Sequence, residues 1–314
     1  MRVATNSYTG SMLNQFNNLA YKQASLQSEV STGLSVQAPS DDPGAMQNTL
    51  QYLTETATQK QYGSNIKTLQ TRATSIDSVL QSLQTITSRA GEIATSGASG
   101  TSSQTDLGNY ADEVNKLINQ VVTAANTKDS ASSQYLFGGT AATAAPFTTT
   151  TDANGNVTAV TYNGNSSVNQ SEIGVNLTTS VDVPGVNTDG SGARGLITDQ
   201  QSGADLINHL ISLRDDLDSG DTTTISSTDS ANLQLDENNV AYQVANNGVV
   251  QNQLTVAATF ATNSTSNLNT MISDTSSANM VTTMVQLNQA QTAYQAALES
   301  SVKIMNLSLL NYLS

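Results

Sequence analysis

Residue types that build catalytic and cross-linked sites are missing or scarce in this 314-residue sequence. It has no cysteine, no tryptophan and one histidine, and aromatic residues make up only 4% of it. Zero cysteine excludes disulfides and thiolate redox sites, and a single histidine cannot build a common zinc site. No nucleotide-binding glycine loop or nucleophile motif opens a helix after a strand. We therefore predict no catalytic residue, no cofactor and no metal, and we expect no enzymatic activity.

The charge and hydropathy of the sequence exclude two classes of partner. Charged residues are 11% of the chain, with 25 Asp and Glu against 11 Lys and Arg, for a formal charge of −14. Such an acidic protein is poorly suited to nucleic acid or to an anionic membrane surface. No apolar run approaches the ~18 residues that cross a bilayer, and residues 1–13 lack the apolar core of a signal peptide. We expect no nucleic-acid partner, no membrane insertion and, if the protein is exported, no cleaved signal.

What the sequence does have is heptad spacing at both ends. The last helix is predicted over about Asn279–Tyr312, without proline or glycine, and the first over about Ser7–Thr32, ended by Gly33. The C-terminal seam consists of Met280, Met284, Leu287, Gln291, Tyr294, Leu298, Ser301, Met305, Ser308 and Tyr312. The N-terminal seam consists of Met12, Phe16, Leu19, Gln23, Leu26 and Val30. We expect these two helices to pair with each other and to seek further partners.

Longer helices are predicted between the ends. Asp42 precedes Pro43 and is a good N-cap for a helix that runs to about Thr95. Further helices are predicted over about 105–127, from Asp199 to the break at Gly220, and over about 230–273. Aromatic residues are few, and Ser, Thr, Asn and Gln dominate the composition, which is poor material for one large core. Long helices with narrow apolar seams need less core and favour an elongated molecule.

A small β region is predicted in the middle of the chain. Helical periodicity is lost from Ala141 to about Arg194, where Asn154-Gly155 and Asn163-Gly164 predict turns. Alternating apolar residues around these turns predict an antiparallel meander. The apolar run Tyr135–Phe137, stopped by a glycine pair, predicts a short strand just before it.

The predicted fold is therefore mainly α, an elongated rod of long coiled-coil-like helices with the N- and C-terminal helices paired, plus a small inserted antiparallel β domain. Residues 1–40 and 275–314 form a terminal helical assembly domain in this prediction. Residues 41–140 and 195–274 form a helical rod domain, and residues 141–194 form the β domain.

Side chains that could carry chemistry have simpler explanations. His209 lies one position off the leucine seam of its helix and is expected to be exposed. Asp41 and Asp42 are explained by capping, and Asp215-Asp216 by a solvated helix face. The segment 152–156 resembles the start of a calcium loop, but the glycine and the final glutamate of such loops are absent, which favours a hairpin turn.

Three classes of function can be compared against this composition. An enzyme lacks a site, whereas a coiled-coil adhesin or secreted effector is compatible with the composition. A self-assembling structural protein, joined through its terminal helices, fits the pattern best.

Three motifs, in order along the chain, resemble the flagellin superfamily and within it the hook–filament junction proteins (hook-associated protein 3). They are Ser31-Thr32-Gly33-Leu34 followed by Pro39-Ser40-Asp41-Asp42-Pro43; Tyr135-Leu136-Phe137-Gly138-Gly139-Thr140 followed by Pro146-Phe147; and Lys303-Ile304-Met305-Asn306-Leu307-Ser308-Leu309-Leu310-Asn311-Tyr312-Leu313. They are similar to the family's N-terminal helix junction, its exit into the outer domain and its C-terminus. The resemblance covers roughly residues 1–147 and 230–314. Filament flagellins differ at the first motif and lack the aromatic-Gly-Gly-Thr exit, and both differences favour the junction proteins. Flagellin itself is the alternative.

The resemblance implies a structural protein of the bacterial flagellum. Such proteins are exported through the flagellar type III channel without a cleaved signal and lie outside the cell, here at the hook–filament junction. The implied role is to join the hook, through the first hook-associated protein, to the flagellin filament by self-assembly of terminal helices. The implied partners are other copies of the chain, the first hook-associated protein, flagellin, and a cytoplasmic export chaperone on the C-terminal helix.

The assembly interface is predicted on the two terminal seams. Its residues are Met12, Phe16, Leu19, Leu26, Met284, Leu287, Tyr294, Leu298, Met305 and Leu309.

Overall fold

Helices dominate the computed structural model, which describes residues 2–129, 132–141 and 143–313, and the side chains of residues 10–129, 132–141 and 143–303. The helices are α1 (Arg2–Thr32), α2 (Pro43–Gly97), α3 (Gln104–Ala125), α4 (Leu206–Ser219), the short α5 (Thr222–Thr224), a π segment (Ile225–Asp229), α6 (Ser230–Ser276) and α7 (Met280–Leu313). The strands are β1 (Phe147–Thr151), β2 (Val157–Tyr162), β3 (Ser171–Gly174), β4 (Leu177–Thr179), β5 (Val186–Asn187), β6 (Thr198–Asp199) and β7 (Ala204–Asp205). The predicted mainly α fold with a small β insert is confirmed.

The chain forms two compact units. The terminal unit comprises residues 1–58 and 263–314, and the central unit comprises residues 59–262.

In the terminal unit, α1 ends where the sequence predicts. Gly33 adopts the left-handed conformation with φ of 73°, and its N–H donates to the Glu29 carbonyl at 2.8 Å. A residue with a Cβ would be strained at this φ, so glycine is the natural C′ residue. At the start of α2, the Ala45 N–H donates to Asp42 Oδ1 at 2.9 Å, which is N-cap geometry.

The central unit is built on helix packing. Its core includes buried residues of α2, α3, α4 and α6, and apolar side chains of the β region pack onto the same core. Members of the core include Ile76, Leu80, Leu83, Val114, Ile118, Leu210, Leu213 and Leu233. The i, i+3, i+4 spacing of these residues is what lets each helix bury one stripe.

The β region is less regular than a single meander, and this part of the prediction is wrong. β1–β2 and β3–β4 are separate antiparallel hairpins, and β5, β6 and β7 form a third sheet in which β5 and β6 run parallel. The strands extend to residue 205, so α4 begins at Leu206 and not at Asp199. The Asp199 carboxylate is fully buried and accepts from the Gly195 and Ser202 N–H groups. These bonds fix the backbone on both sides of β6, in the hairpin that β6 forms with β7, which the helical pattern of the sequence did not reveal.

The predicted strand at Tyr135–Phe137 is also wrong. Only Tyr135 forms a bridge, to Lys128, and Leu136 and Phe137 are completely buried. The Phe137 carbonyl accepts from the Gly185 N–H and from the Tyr162 hydroxyl. Its backbone is therefore satisfied by contacts to distant loops, and a strand ladder is not needed.

Segment 152–156 matches its prediction, whereas His209 does not. Segment 152–156 is the β1–β2 turn, in which Asp152 Oδ1 accepts from the N–H groups of Asn154 and Asn156, both at 2.8 Å. His209, in contrast, is not an exposed helix residue. Its side chain is 17% exposed, and its Nδ1 lies 2.8 Å from the buried carboxylate of Asp236. Sequence periodicity placed it off the seam of α4, but it could not show that α6 covers this flank.

Candidate assembly surface on the terminal helices

The terminal helices α1 and α7 pair in an antiparallel arrangement. The Ser35 N–H donates to the Ser276 carbonyl at 2.8 Å, and the Ala278 N–H donates to the Gly33 carbonyl at 2.9 Å. Farther along, the rings of Phe16 and Tyr294 meet edge to face with centroids 5.9 Å apart. The end of α1 thus lies beside the start of α7, and the predicted pairing of the terminal helices is confirmed.

α1 contributes the face that its heptads predict. All six seam positions from Met12 to Val30 are at least partly shielded, and Leu26 is the most deeply buried. These are mainly large side chains at alternating steps of four and three residues. A 3.5-residue period keeps such a row facing one partner helix over its whole length.

α7 presents a different set of residues to α1 than hydrophobicity alone indicates. The shielded positions are Thr283, Leu287, Ala290, Tyr294, Ala297 and Ser301. Four of these six side chains are small, and they alternate with the larger Leu287 and Tyr294. Small residues on α7 leave room for the large ones of α1, because facing layers pack best when large and small side chains interdigitate.

The predicted seam of α7 is therefore divided between two neighbouring faces. Leu287, Tyr294 and Ser301 point to α1, whereas Met284, Gln291 and Leu298 lie on an exposed face. Met284 is 50% exposed and Leu298 is 44% exposed. With Met280 and Val302, which are also exposed, they form a row that we call the open stripe: Met280, Met284, Gln291, Leu298 and Val302.

The predicted interface residues thus occupy three environments. Met12, Phe16, Leu19, Leu26, Leu287 and Tyr294 belong to the α1–α7 contact. Met284 and Leu298 belong to the open stripe. The side chains of Met305 and Leu309 lie outside the described residues. The sequence prediction missed Ala290 and Ala297, since small residues do not stand out in a hydrophobic pattern.

The open stripe lies in a segment of α7 that has few charged residues. No charged residue occurs between Asp274 and Glu299, so most of the open stripe carries no charge. Two copies of a chain with formal charge −14 repel each other least where charges are absent. In the turn that precedes α2, the N–H groups of Gln37 and Ala38 lower the pKa of Asp41 below its ordinary value. Asp41 therefore stays ionised and fixes the turn before α2.

In the described part of the chain, no group of three or more His, Asp or Glu side chains could hold a metal ion. No described helix is long and apolar enough to cross a membrane.

Comparison with known proteins points to one family. Residues 3–142 match the family described as the bacterial flagellin N-terminal helical region. No curated protein sequence matches the chain. The fold is similar to a flagellar hook-associated protein from Vibrio parahaemolyticus, with 20% identity and a TM-score of 0.64 over 76% of this chain and 100% of that one.

Two further solved structures share the fold. The Xanthomonas campestris FlgL is 18% identical, with a TM-score of 0.56 over 69% of this chain and 98% of that one. The Bacillus cereus FlgL is 17% identical, with a TM-score of 0.55 over 71% of this chain and 99% of that one. At these identities the structural matches establish the fold.

Proposed function

We propose that this chain belongs to the flagellin superfamily and is a structural subunit of the bacterial flagellum that joins the hook to the filament. The match of residues 3–142 to the flagellin N-terminal helical region and the fold shared with hook-associated proteins support this role. Its location in this proposal is the flagellum, outside the cell. The role is structural and not enzymatic.

The observation that carries the proposal is the open stripe on α7. Four apolar side chains and Gln291 remain in solvent after α1 has covered the neighbouring face of the same helix. Each exposed leucine or methionine forgoes part of the ~1.5–3 kcal/mol that full burial contributes. A helix with one covered and one open apolar face is suited to contact α1 of its own chain and a second helix from outside.

The partners follow from the geometry and the family together. The open stripe, with Met305 and Leu309 farther along α7, contacts other copies of this chain in the assembled structure. The first hook-associated protein and flagellin contact the two ends of that assembly. Before export, a cytoplasmic chaperone covers the C-terminal helix, because an uncharged apolar row would otherwise promote aggregation. Export without a cleaved signal is part of the same proposal.

Removal of α7 tests the proposal. A variant that ends at Asn279 loses the open stripe and uncovers α1, but no described side chain of α7 belongs to the core of the central unit. We expect the truncated protein to retain the circular dichroism of a helical central unit and to fail to support filaments in cells that lack the full-length chain. Normal filaments on these hooks would refute the role assigned to α7.

A further inference from the structure

The junction between α4 and α6 contains an unusual helical segment. The π segment Ile225–Asp229 runs directly into α6, and both the N–H and the hydroxyl of Ser230 donate to the Ile225 carbonyl. π segments are rare and often coincide with functional positions. This one places Asp229 at its last position, completely buried, next to Ser212 of α4.

If Asp229 and Asp216 are both ionised, the contacts around Asp229 need one hydrogen more than the Ser212 hydroxyl provides. Ser212 Oγ lies 3.1 Å from Asp229 Oδ1 and 3.4 Å from Asp216 Oδ2. A serine hydroxyl has one hydrogen and can donate it to only one of these oxygens, while an ionised carboxylate can only accept. Among the described residues, Asp229 Oδ2 also has no hydrogen-bond partner although it is buried. A fully ionised pair would therefore leave one contact without a hydrogen and one buried anionic oxygen uncompensated.

We propose that Asp229 holds a proton in the folded protein and that Asp229, Ser212 and Asp216 form a proton-binding site at this junction. Protonated Asp229 donates to Ser212 Oγ, and the Ser212 hydroxyl donates to Asp216 Oδ2. Each contact then has one hydrogen, and the buried oxygen without a partner belongs to a neutral group.

The surrounding charges agree with this arrangement. Burial and the charge of Asp216 raise the pKa of Asp229 to about 6, against the smaller opposing effects of the Ser212 hydrogen bond and the charge of His209. Burial lowers the pKa of His209, but its hydrogen bond to Asp236 and the charges of Asp236, Asp205 and Asp229 raise it above its ordinary value.

The pKa of Asp236, whose carboxylate contacts His209, shifts in the same direction. Burial raises the pKa of Asp236, and its hydrogen bond to His209 opposes that shift only in part. Asp229, His209 and Asp236 therefore all hold protons more tightly in the folded chain than in the unfolded chain.

The sign of the resulting pH dependence is fixed by these shifts. Between the ordinary aspartate value of 3.8 and about 6, folded Asp229 binds a proton that the unfolded chain releases. Stability from this site is thus complete below pH 3.8 and is lost as pH rises through about 6. The junction of α4 with the π segment is held most firmly at mildly acidic pH and is weakened at neutral pH, where Asp229 ionises beside Asp216.

Carbon NMR of the full-length chain labelled at the aspartate carboxyl carbon tests the proposal. We expect one carboxyl resonance with a midpoint near pH 6 that is missing in Asp229→Asn. Asp216→Asn should lower that midpoint, because it removes the nearest like charge. Asp218→Asn removes the same charge from the same helix without touching Ser212, and it should leave the midpoint unchanged.

Two NMR outcomes would overturn the site. One is an Asp229 midpoint at the ordinary value of about 4. The other is an equal shift of the midpoint in Asp218→Asn and Asp216→Asn. Because the wild-type midpoint is decisive by itself, the test survives a variant that fails to fold.

Thermal unfolding gives a second readout. Asparagine has the shape of a neutral aspartic acid, so Asp229→Asn should match the wild-type Tm at pH 5 and exceed it at pH 8. The fall in wild-type Tm between pH 5 and 7 should be smaller in the variant. A variant whose Tm follows the wild type at every pH would contradict proton binding by Asp229.

Discussion

The division of α7 into a covered face and an open stripe makes a sharp prediction for Leu298. Its side chain is 44% exposed in the single chain and lies outside the covered face of α7, so replacing it by aspartate leaves the α1–α7 contact in place. Surface substitutions typically change stability by within ~0.5 kcal/mol. The monomer carrying Leu298→Asp should therefore keep its Tm within about 3 °C of wild type.

The effect on assembly should be much larger. Covering the exposed part of a leucine is worth roughly 1 kcal/mol, given ~1.5–3 kcal/mol for complete burial. An unpaired carboxylate in the same contact costs several kcal/mol more. Since each ~1.4 kcal/mol is a factor of ten, self-association should weaken at least about 100-fold. Analytical ultracentrifugation and restoration of filaments in cells lacking the protein measure this effect.

Two matched variants separate the faces of α7. Gln289→Asp adds the same charge at an exposed position off the open stripe and should assemble normally. Ala290→Asp places a carboxylate at a 6% exposed position against α1 and should destabilise the α1–α7 pair in the monomer. A large Tm loss in Leu298→Asp, or unimpaired assembly by it, would refute the assignment of the open stripe.

Two stability predictions follow from single contacts. Asp42→Ala removes the acceptor for the Ala45 N–H and should cost ~0.5–2 kcal/mol in chemical denaturation; unchanged stability would mean that α2 does not depend on this cap. Arg72→Ala breaks a partly buried ion pair with Asp182, in which the two side chains are 12% and 6% exposed, and should cost about 1.5–3 kcal/mol, because Asp182 keeps its hydrogen bonds from Asn169. The matched change Arg89→Ala, in an exposed ion pair on the same helix, should cost at most ~1 kcal/mol, and equal losses would show that burial does not decide the effect.

The success of the sequence predictions depended on how local their signals were. The end of α1 at Gly33 and the cap at Asp42 could be predicted because both depend on backbone geometry within a few residues. The seam of α1 was predictable because its large residues all lie on one face. The seam of α7 was only half predictable, since Ala290 and Ala297 mark the covered face by being small.

Two features of the central unit could not be predicted from the periodicity of hydrophobic residues. The β6–β7 hairpin before α4 depends on Asp199, a polar side chain that is buried and hydrogen-bonded to backbone. The environment of His209 depends on Asp236, which is 27 residues away in α6. Such contacts between distant residues leave no repeating pattern in the sequence. The division of the predicted interface into covered and open residues likewise became visible only when α1 and α7 were placed together.

The most direct test of the central claim is the position of the protein in the flagellum. Antibodies against the β region, viewed by electron microscopy on intact flagella, should label one narrow band between hook and filament. Label along the whole filament would identify a filament subunit instead. Label confined to the cell surface away from flagella would contradict a flagellar role altogether.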